Sequence, residues 1–292
     1  MTSDATTDST APASPASATA RAEIGIIGGS GFYEFFTNAE HVRVKTPFGD
    51  PSDDLVLGEV AGRRVAFLAR HGQGHRFPPH RVNYRANLWA LRSVGVRQVL
   101  APCAVGSLKR ELGPGTIVVP DQVVDRTWGR AHTVYDEIGP VVHVGFADPY
   151  CPRGRAAVTG VVHEAGLPMA GTGTLVVING PRFSSRAESQ WHQQAGWSVV
   201  GMTGMPEASV ARELAMCFTT VAMVTDHDAG VEGESGVTHE EVLKVFAKNI
   251  EGLKGVLASV IPALPAAESD AGATCPCRRA LDGLPLPITL PS

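Results

Sequence analysis

Val221-Ala222-Met223-Val224-Thr225-Asp226-His227-Asp228-Ala229-Gly230 is the stretch that decides the fold. An apolar, β-type run buries itself and then delivers two carboxylates at what is expected to be its carboxyl end. In open α/β sheets that end is where ligands bind. A carboxylate held beside a buried strand has its charged form disfavoured, which suits it to carry a proton near neutral pH. Taken alone, the pair fits a second reading equally well, because aspartates also end strands and cap turns.

Working outward, runs of the same kind recur. Glu23-Ile24-Gly25-Ile26-Ile27 leads into Gly28-Gly29-Ser30-Gly31, a turn whose backbone N–H groups can converge on an anion. It is not the dinucleotide fingerprint, since Glu34 stands where the third glycine belongs, and no P-loop lysine follows. A plain tight turn fits as well. Leu55–Val60 and Val65–Ala69 read as a hairpin turning at Gly62, and the second strand ends in Arg70-His71-Gly72. A guanidinium fork beside an imidazole suits an oxyanion, although a surface ion pair with an incidental histidine has the same sequence.

Asn83–Val94 reads as a helix burying Leu88, Trp89, Leu91 and Val94. Val99 opens a strand expected to break into the small-residue loop Cys103-Ala104-Val105-Gly106. No activating motif surrounds Cys103, so it reads as a buried or ligand-lining thiol. Thr116–Pro120 is a short strand, Asp125–Asp136 a polar loop near a cleft or interface, and Val141–Phe146 a β-type run carrying His143. Thr174–Ile178 is a strand that turns through Gly180-Pro181-Arg182-Phe183-Ser184 into a helix with a Ser185/Glu188 capping box. Phe183 there can stack on a planar ring or fill core. Trp197–Gly201 leads through Met202-Thr203-Gly204 to a helix with Pro206 in its first turn. A second capping box, Thr238/Glu241, opens a helix with His239 at its first position. Leu243, Phe246, Ile250, Leu253, Leu257 and Ile261 form its apolar stripe.

Alternating strands and helices give an α/β fold of one domain, residues 23–264. Residues 1–22 read as an Ala/Ser/Thr-rich tail without the apolar region of a signal peptide. Residues 265–292 carry Cys275-Pro276-Cys277 and are expected to pack on the domain or an oligomer surface through Leu281, Leu284 and Leu286. With 292 residues, 43% hydrophobic, the chain can bury one large core. A net charge of −4 offers no basic footprint for nucleic acid or a membrane surface. No apolar run approaches the roughly 20 residues that span a bilayer. Five scattered cysteines point to a reducing cytoplasm. Anion-suited strand ends together with paired carboxylates form the constellation that a phosphorolytic glycosyl transfer needs.

These motifs resemble the methylthioadenosine phosphorylase branch of the trimeric purine nucleoside phosphorylases. The likeness runs through Ile26–Gly31, Thr46-Pro47-Phe48-Gly49, Leu68–Gly72, Val82–Asn87, Gly180–Ser184 and Met202–Glu207. It implies a central mixed β-sheet flanked by helices, a homotrimer, and cleavage of a purine nucleoside by inorganic phosphate without metal or organic cofactor. By position it places phosphate against Ser30, Arg70, His71, Cys103, Ala104 and Thr203. Met202 meets the ribose, Phe183 the purine face, and Thr225, Asp226 and Asp228 the purine edge. Relatives usually have threonine at Cys103, and a thiol is a weaker donor.

Adenine leaves readily only when N7 is protonated, which makes Asp226 the candidate general acid. A carboxylate also suits the donor of a 6-amino purine, whereas a 6-oxo purine suits an amide. The 5′ end is expected to meet Ser184, His239, Val242 and Leu243, with His143 arriving from a neighbouring subunit. A histidine at 239, where the animal enzymes have an aliphatic residue, suits polar 5′ groups as well as a thioether. The alternatives are a phosphorylase of unmodified purine nucleosides, one of 5′-halo-5′-deoxyadenosines, and a non-catalytic nucleoside-binding protein. A dinucleotide-dependent dehydrogenase is disfavoured by the missing fingerprint.

Overall fold

The computed structural model describes residues 21–29, 36, 39–231, 239–266 and 269–291, with backbone alone at 239, 241–243 and 246. The chain opens with β1 (Ile24–Gly28), β2 (Glu40–Val42), β3 (Leu55–Val60) and β4 (Arg63–Ala69). Helix α1 (Tyr84–Ser93) precedes the long β5 (Gln98–Ser107), then β6 (Ile117–Val118) and β7 (Gln122–Arg126). Next come α2 (Pro152–Glu164), β8 (Met169–Ala170), β9 (Thr174–Ile178) and α3 (Arg186–Gln194). β10 (Val199–Gly201), α4 (Gly204–Glu213), β11 (Cys217–His227), α5 (His239–Ala263) and the short α6 (Asp270–Ala273) follow.

Among the described residues the strands form one mixed, eleven-stranded sheet, in the order β2-β3-β4-β1-β5-β10-β9-β7, with β11 also on β5 and β6 on β11. The spine is β5 with β11, parallel from Gln98↔Cys217 to Ser107↔His227. Alternation along each strand sorts side chains between two cores. Val221 and Met223 face α2 and α5 with Ile26, Phe67, Val158, Leu253 and Leu257, while Phe218, Ala222 and Val224 face α1 and α4 with Leu88, Leu91 and Val210. Each such buried Val, Leu, Ile, Met or Phe side chain contributes roughly 1.5–3 kcal/mol. No helix among the described residues is long and apolar enough to cross a membrane.

Four expectations change. Asp226 does not follow the end of its strand, because β11 continues through His227. Likewise Cys103–Gly106 lies within β5. The two strands extend each other by mutual pairing, which neither sequence reveals alone. Val141–Phe146 has no strand partner among the described residues and is irregular. Met205 (φ −123°, ψ 135°) and Pro206 (φ −89°, ψ 19°) break the helical start of α4, since a residue before proline avoids the α region.

Residues of the C-terminal segment pack against the domain. Leu281 and Leu284 are half-buried and Leu286 is exposed. Ile288 and Leu290 pack against the core instead, and Cys275 and Cys277 are buried. Arg63 fixes the junction: its Nη1 donates to Ile261 O (2.7 Å) and Leu264 O (2.6 Å), capping the end of α5. The Thr238/Glu241 capping box lies outside the described residues.

Candidate active site

One cavity of about 800 Å³ opens beside the β5–β11 spine. It is bordered by Arg70, His71, Cys103, Ala104, Thr203, Phe183, Ser184, Met202, Thr225, Asp226 and Asp228. Residues from five separate stretches of sequence thus meet in one place.

At one end stands Arg70, 2% exposed, just past β4. Its Nε donates to Glu207 Oε1 (2.6 Å) and its Nη2 to Oε2 (3.1 Å). Nη2 also donates to Ile27 O (2.8 Å) and Nη1 to Pro102 O (3.0 Å). Four of its five N–H groups therefore have partners among the described residues. Burial works against the arginine's charge, but Glu207 more than offsets it and raises the pKa. Burial pushes the Glu207 carboxyl up, against the pull of Arg70.

His71 follows, with Nδ1 2.8 Å from Phe77 O and its ring stacked 4.1 Å from His75. Burial, and then Arg70, lower its pKa to about 4. At neutral pH the ring is uncharged, Nδ1–H donates to the carbonyl, and Nε2 is left as an acceptor. Gly72 turns this loop at φ 68°, where a Cβ would lie 2.7 Å from Arg76 Nε and 2.9 Å from Ser52 O. Burial pushes the Cys103 thiol up to about 12 despite Arg70, so it is a neutral wall and not a nucleophile.

At the other end the spine carries a β-bulge. Val224 pairs with Val105 and Asp226 with Gly106, which leaves Thr225 without a partner. Bulges re-aim side chains. Here the Thr225 hydroxyl lies 2.7 Å from Asp226 Oδ2 and 3.3 Å from Val105 O. Gly106 is what admits the carboxylates, since a Cβ there would lie 3.1 Å from Asp226 Oδ1 and 3.3 Å from Asp228 Cβ. Asp228 is 4% exposed, and its Oδ2 has no hydrogen-bond partner among the described residues. From Pro102 to Gly106 along β5 is four residues, roughly 13 Å.

Two further residues were not singled out from the sequence. Glu207 is a lone acid in an apolar helix start, a pattern that signals an ion-pair partner. Arg130, from the irregular stretch, donates to Met205 O, to Met202 O (2.8 Å) and to Asn179 O (2.9 Å). It thereby ties the loops after β9 and β10 into the cavity wall. Ala247 and Ile250 add an apolar wall from α5. Ser30 and the side chains of His239, Val242 and Leu243 lie outside the described residues. His143 is exposed and stands apart from the cavity of its own chain.

The phosphorylase superfamily profile matches residues 23–262. The chain belongs to this superfamily. It is similar to a purine nucleoside phosphorylase of Streptomyces coelicolor (60% identical, over 93% of this chain and 98% of the relative). It is 54% identical to an S-methyl-5′-thioadenosine phosphorylase of Mycolicibacterium smegmatis, over 92% of this chain and 99% of that one. Among solved structures it resembles methylthioadenosine phosphorylase from Schistosoma mansoni in complex with adenine. That likeness has TM-score 0.79 and 38% identity, covering 83% of this chain and 91% of the other. The fold is that of the nucleoside phosphorylases, and the chain is an enzyme of that kind, a pentosyltransferase.

Proposed function

We propose that the enzyme cleaves the N-glycosidic bond of 5′-methylthioadenosine, or a closely related 5′-modified adenosine, with inorganic phosphate, giving adenine and the ribose 1-phosphate. The observation that carries this is the two-ended cavity, with the Arg70 guanidinium and its one N–H uncommitted among the described residues at one end, and the carboxylates of Asp226 and Asp228 at the other. Along β5, Pro102, which Arg70 meets, and Gly106, which lies beside the carboxylates, are roughly 13 Å apart, a spacing that leaves room for a ribose. Phosphate rests against the Arg70 loop with Cys103, Ala104, Thr203 and Ser30. The neutral His71 offers Nε2 to a phosphate hydroxyl. The purine stacks on Phe183 and the ribose meets Met202.

As the glycosidic bond stretches toward an oxocarbenium ion, positioning and charge complementarity supply most of the acceleration. Asp226, oriented by Thr225, delivers the proton to N7. The unpartnered oxygen of Asp228 suits the 6-amino donor of adenine, and a 6-oxo purine would set acceptor against acceptor. Ala247 and Ile250 suit a thioether at the 5′ end, with Ser184, His239, Val242 and Leu243 beside them. The reaction needs no electron carrier, so phosphate is the co-substrate and no organic cofactor is required. Exposed Trp128, Ile138 and Val141 in the irregular segment before α2 suit the subunit contacts of a homotrimer, with His143 reaching a neighbour's site. Five unpaired cysteines suit a cytoplasmic enzyme.

A purine nucleoside phosphorylase on unmodified nucleosides is the second reading, favoured by the name of the Streptomyces relative. A panel of 5′-methylthioadenosine, adenosine, 5′-chloro-5′-deoxyadenosine and inosine, assayed with saturating phosphate, separates them. The adenine nucleosides should react, with the methylthio compound best. Preference for inosine would sink the adenine assignment, and preference for adenosine would favour the second reading.

A further inference from the structure

Far from the cavity, four cysteines meet. Cys151, the N-cap residue of α2, Cys217, the first residue of β11, and Cys275 and Cys277 of the C-terminal segment are all buried. Their sulfurs lie within 4.8 Å of one another, and none is paired. A lone buried cysteine is an ordinary small hydrophobe. Four converging from three segments are not explained that way.

We propose that these four thiols are a structural zinc site. A tetrahedral Zn²⁺ with Zn–S bonds of about 2.3 Å sets its sulfurs about 3.8 Å apart. Cys151 and Cys275 are 3.6 Å apart and Cys217 and Cys275 3.4 Å, so small shifts suffice. The backbone is fixed without the thiols: Cys151 N–H donates to Phe218 O (2.8 Å), Cys217 N–H to Arg97 O (2.9 Å) and Cys275 N–H to Gly272 O (3.2 Å). Outer contacts of the kind that steady metal thiolates are present as well. Gly154 N–H donates to Cys151 Sγ (3.4 Å) and Arg212 Nη2 to Cys277 Sγ (3.9 Å). The arginine sits where the net negative charge of a four-thiolate zinc centre would be offset.

Four protein ligands leave no open position, which marks a structural and not a catalytic zinc. Position agrees, since Cys217 and Asp226 lie at opposite ends of β11, roughly 30 Å apart along the strand. The ion would clasp the C-terminal segment to α2 and β11. Binding exchanges four thiol protons for one Zn²⁺, with no change of oxidation state.

The test is zinc content by mass spectrometry of the enzyme purified from zinc-containing medium without chelator. About one zinc per chain is expected, with less than a tenth of that in Cys275→Ser/Cys277→Ser. The double variant should melt about 5–10 °C lower at unchanged kcat/KM. If it fails to fold, wild-type enzyme from cobalt-supplemented medium decides. The visible bands and sulfur-to-cobalt charge transfer of a tetrahedral thiolate site support the proposal, and their absence overturns it. Wild-type enzyme with less than about half a zinc per chain also overturns it, whether its thiols are free or joined as disulfides. So does iron in place of zinc.

Discussion

At the Arg70 end of the cavity nearly every polar group is committed. Glu207 takes both prongs of the guanidinium and two backbone carbonyls take further bonds. His71 is locked by Phe77 O. At the Asp226 end, commitment is partial. A bulge breaks the ladder, one hydroxyl orients Asp226, and Asp228 Oδ2 has no partner among the described residues. The difference is instructive. An anion present in every turnover can be met by a prebuilt, buried scaffold, whereas a leaving base needs acceptors still open to it. Stability should therefore depend on the first end and chemistry on the second, and substitutions can break that division.

The largest effect is expected at Glu207. Glu207→Gln leaves a buried arginine charge unpaired, which should lower unfolding free energy by about 3–5 kcal/mol in denaturant melts. Arg70→Met/Glu207→Met should recover most of that stability while losing phosphate use. If the single variant is as stable as wild type, the pair is not a scaffold for that end of the cavity.

His71 should give a pH signature of nearly that size. Its pKa is about 4 when folded and about 6.5 when unfolded. Between those values the unfolded state binds more protons, so stability falls as pH drops from 6.5 to 4. The loss is on the order of 3 kcal/mol, and it should be absent from the stability profile of His71→Gln.

Asp226→Asn should lower kcat/KM for adenine nucleosides by about 10² or more, with melting within about 4 °C of wild type. A large loss of stability there would erase the contrast between the ends. Smaller again, Gly106→Ala crowds Asp226 Oδ1 and Asp228 Cβ and should lower kcat/KM about tenfold by displacing the carboxylates.

Much of this was legible in the sequence because the chemistry sits in residue identity. Arg70-His71, Met202-Thr203 and Asp226 with Asp228 all border the cavity they were expected to share. What stayed hidden depends on partners. Glu207 meets Arg70 across 137 residues. The Thr225 bulge exists only in the register of β11 on β5, and Arg130 acts through backbone carbonyls that leave no mark in sequence. The four-cysteine cluster was half visible as Cys275-Pro276-Cys277, but Cys151 and Cys217 join it only through the fold.

If the two ends act on one nucleoside and one phosphate in a single displacement, adenine release depends on phosphate. That dependence is tested most directly by following adenine release from 5′-methylthioadenosine in phosphate-free buffer and again after phosphate is added. No release is expected before addition, then adenine and 5-methylthioribose 1-phosphate in equal amounts. Adenine appearing at the same rate without phosphate, with the free sugar as its partner product, would contradict that dependence.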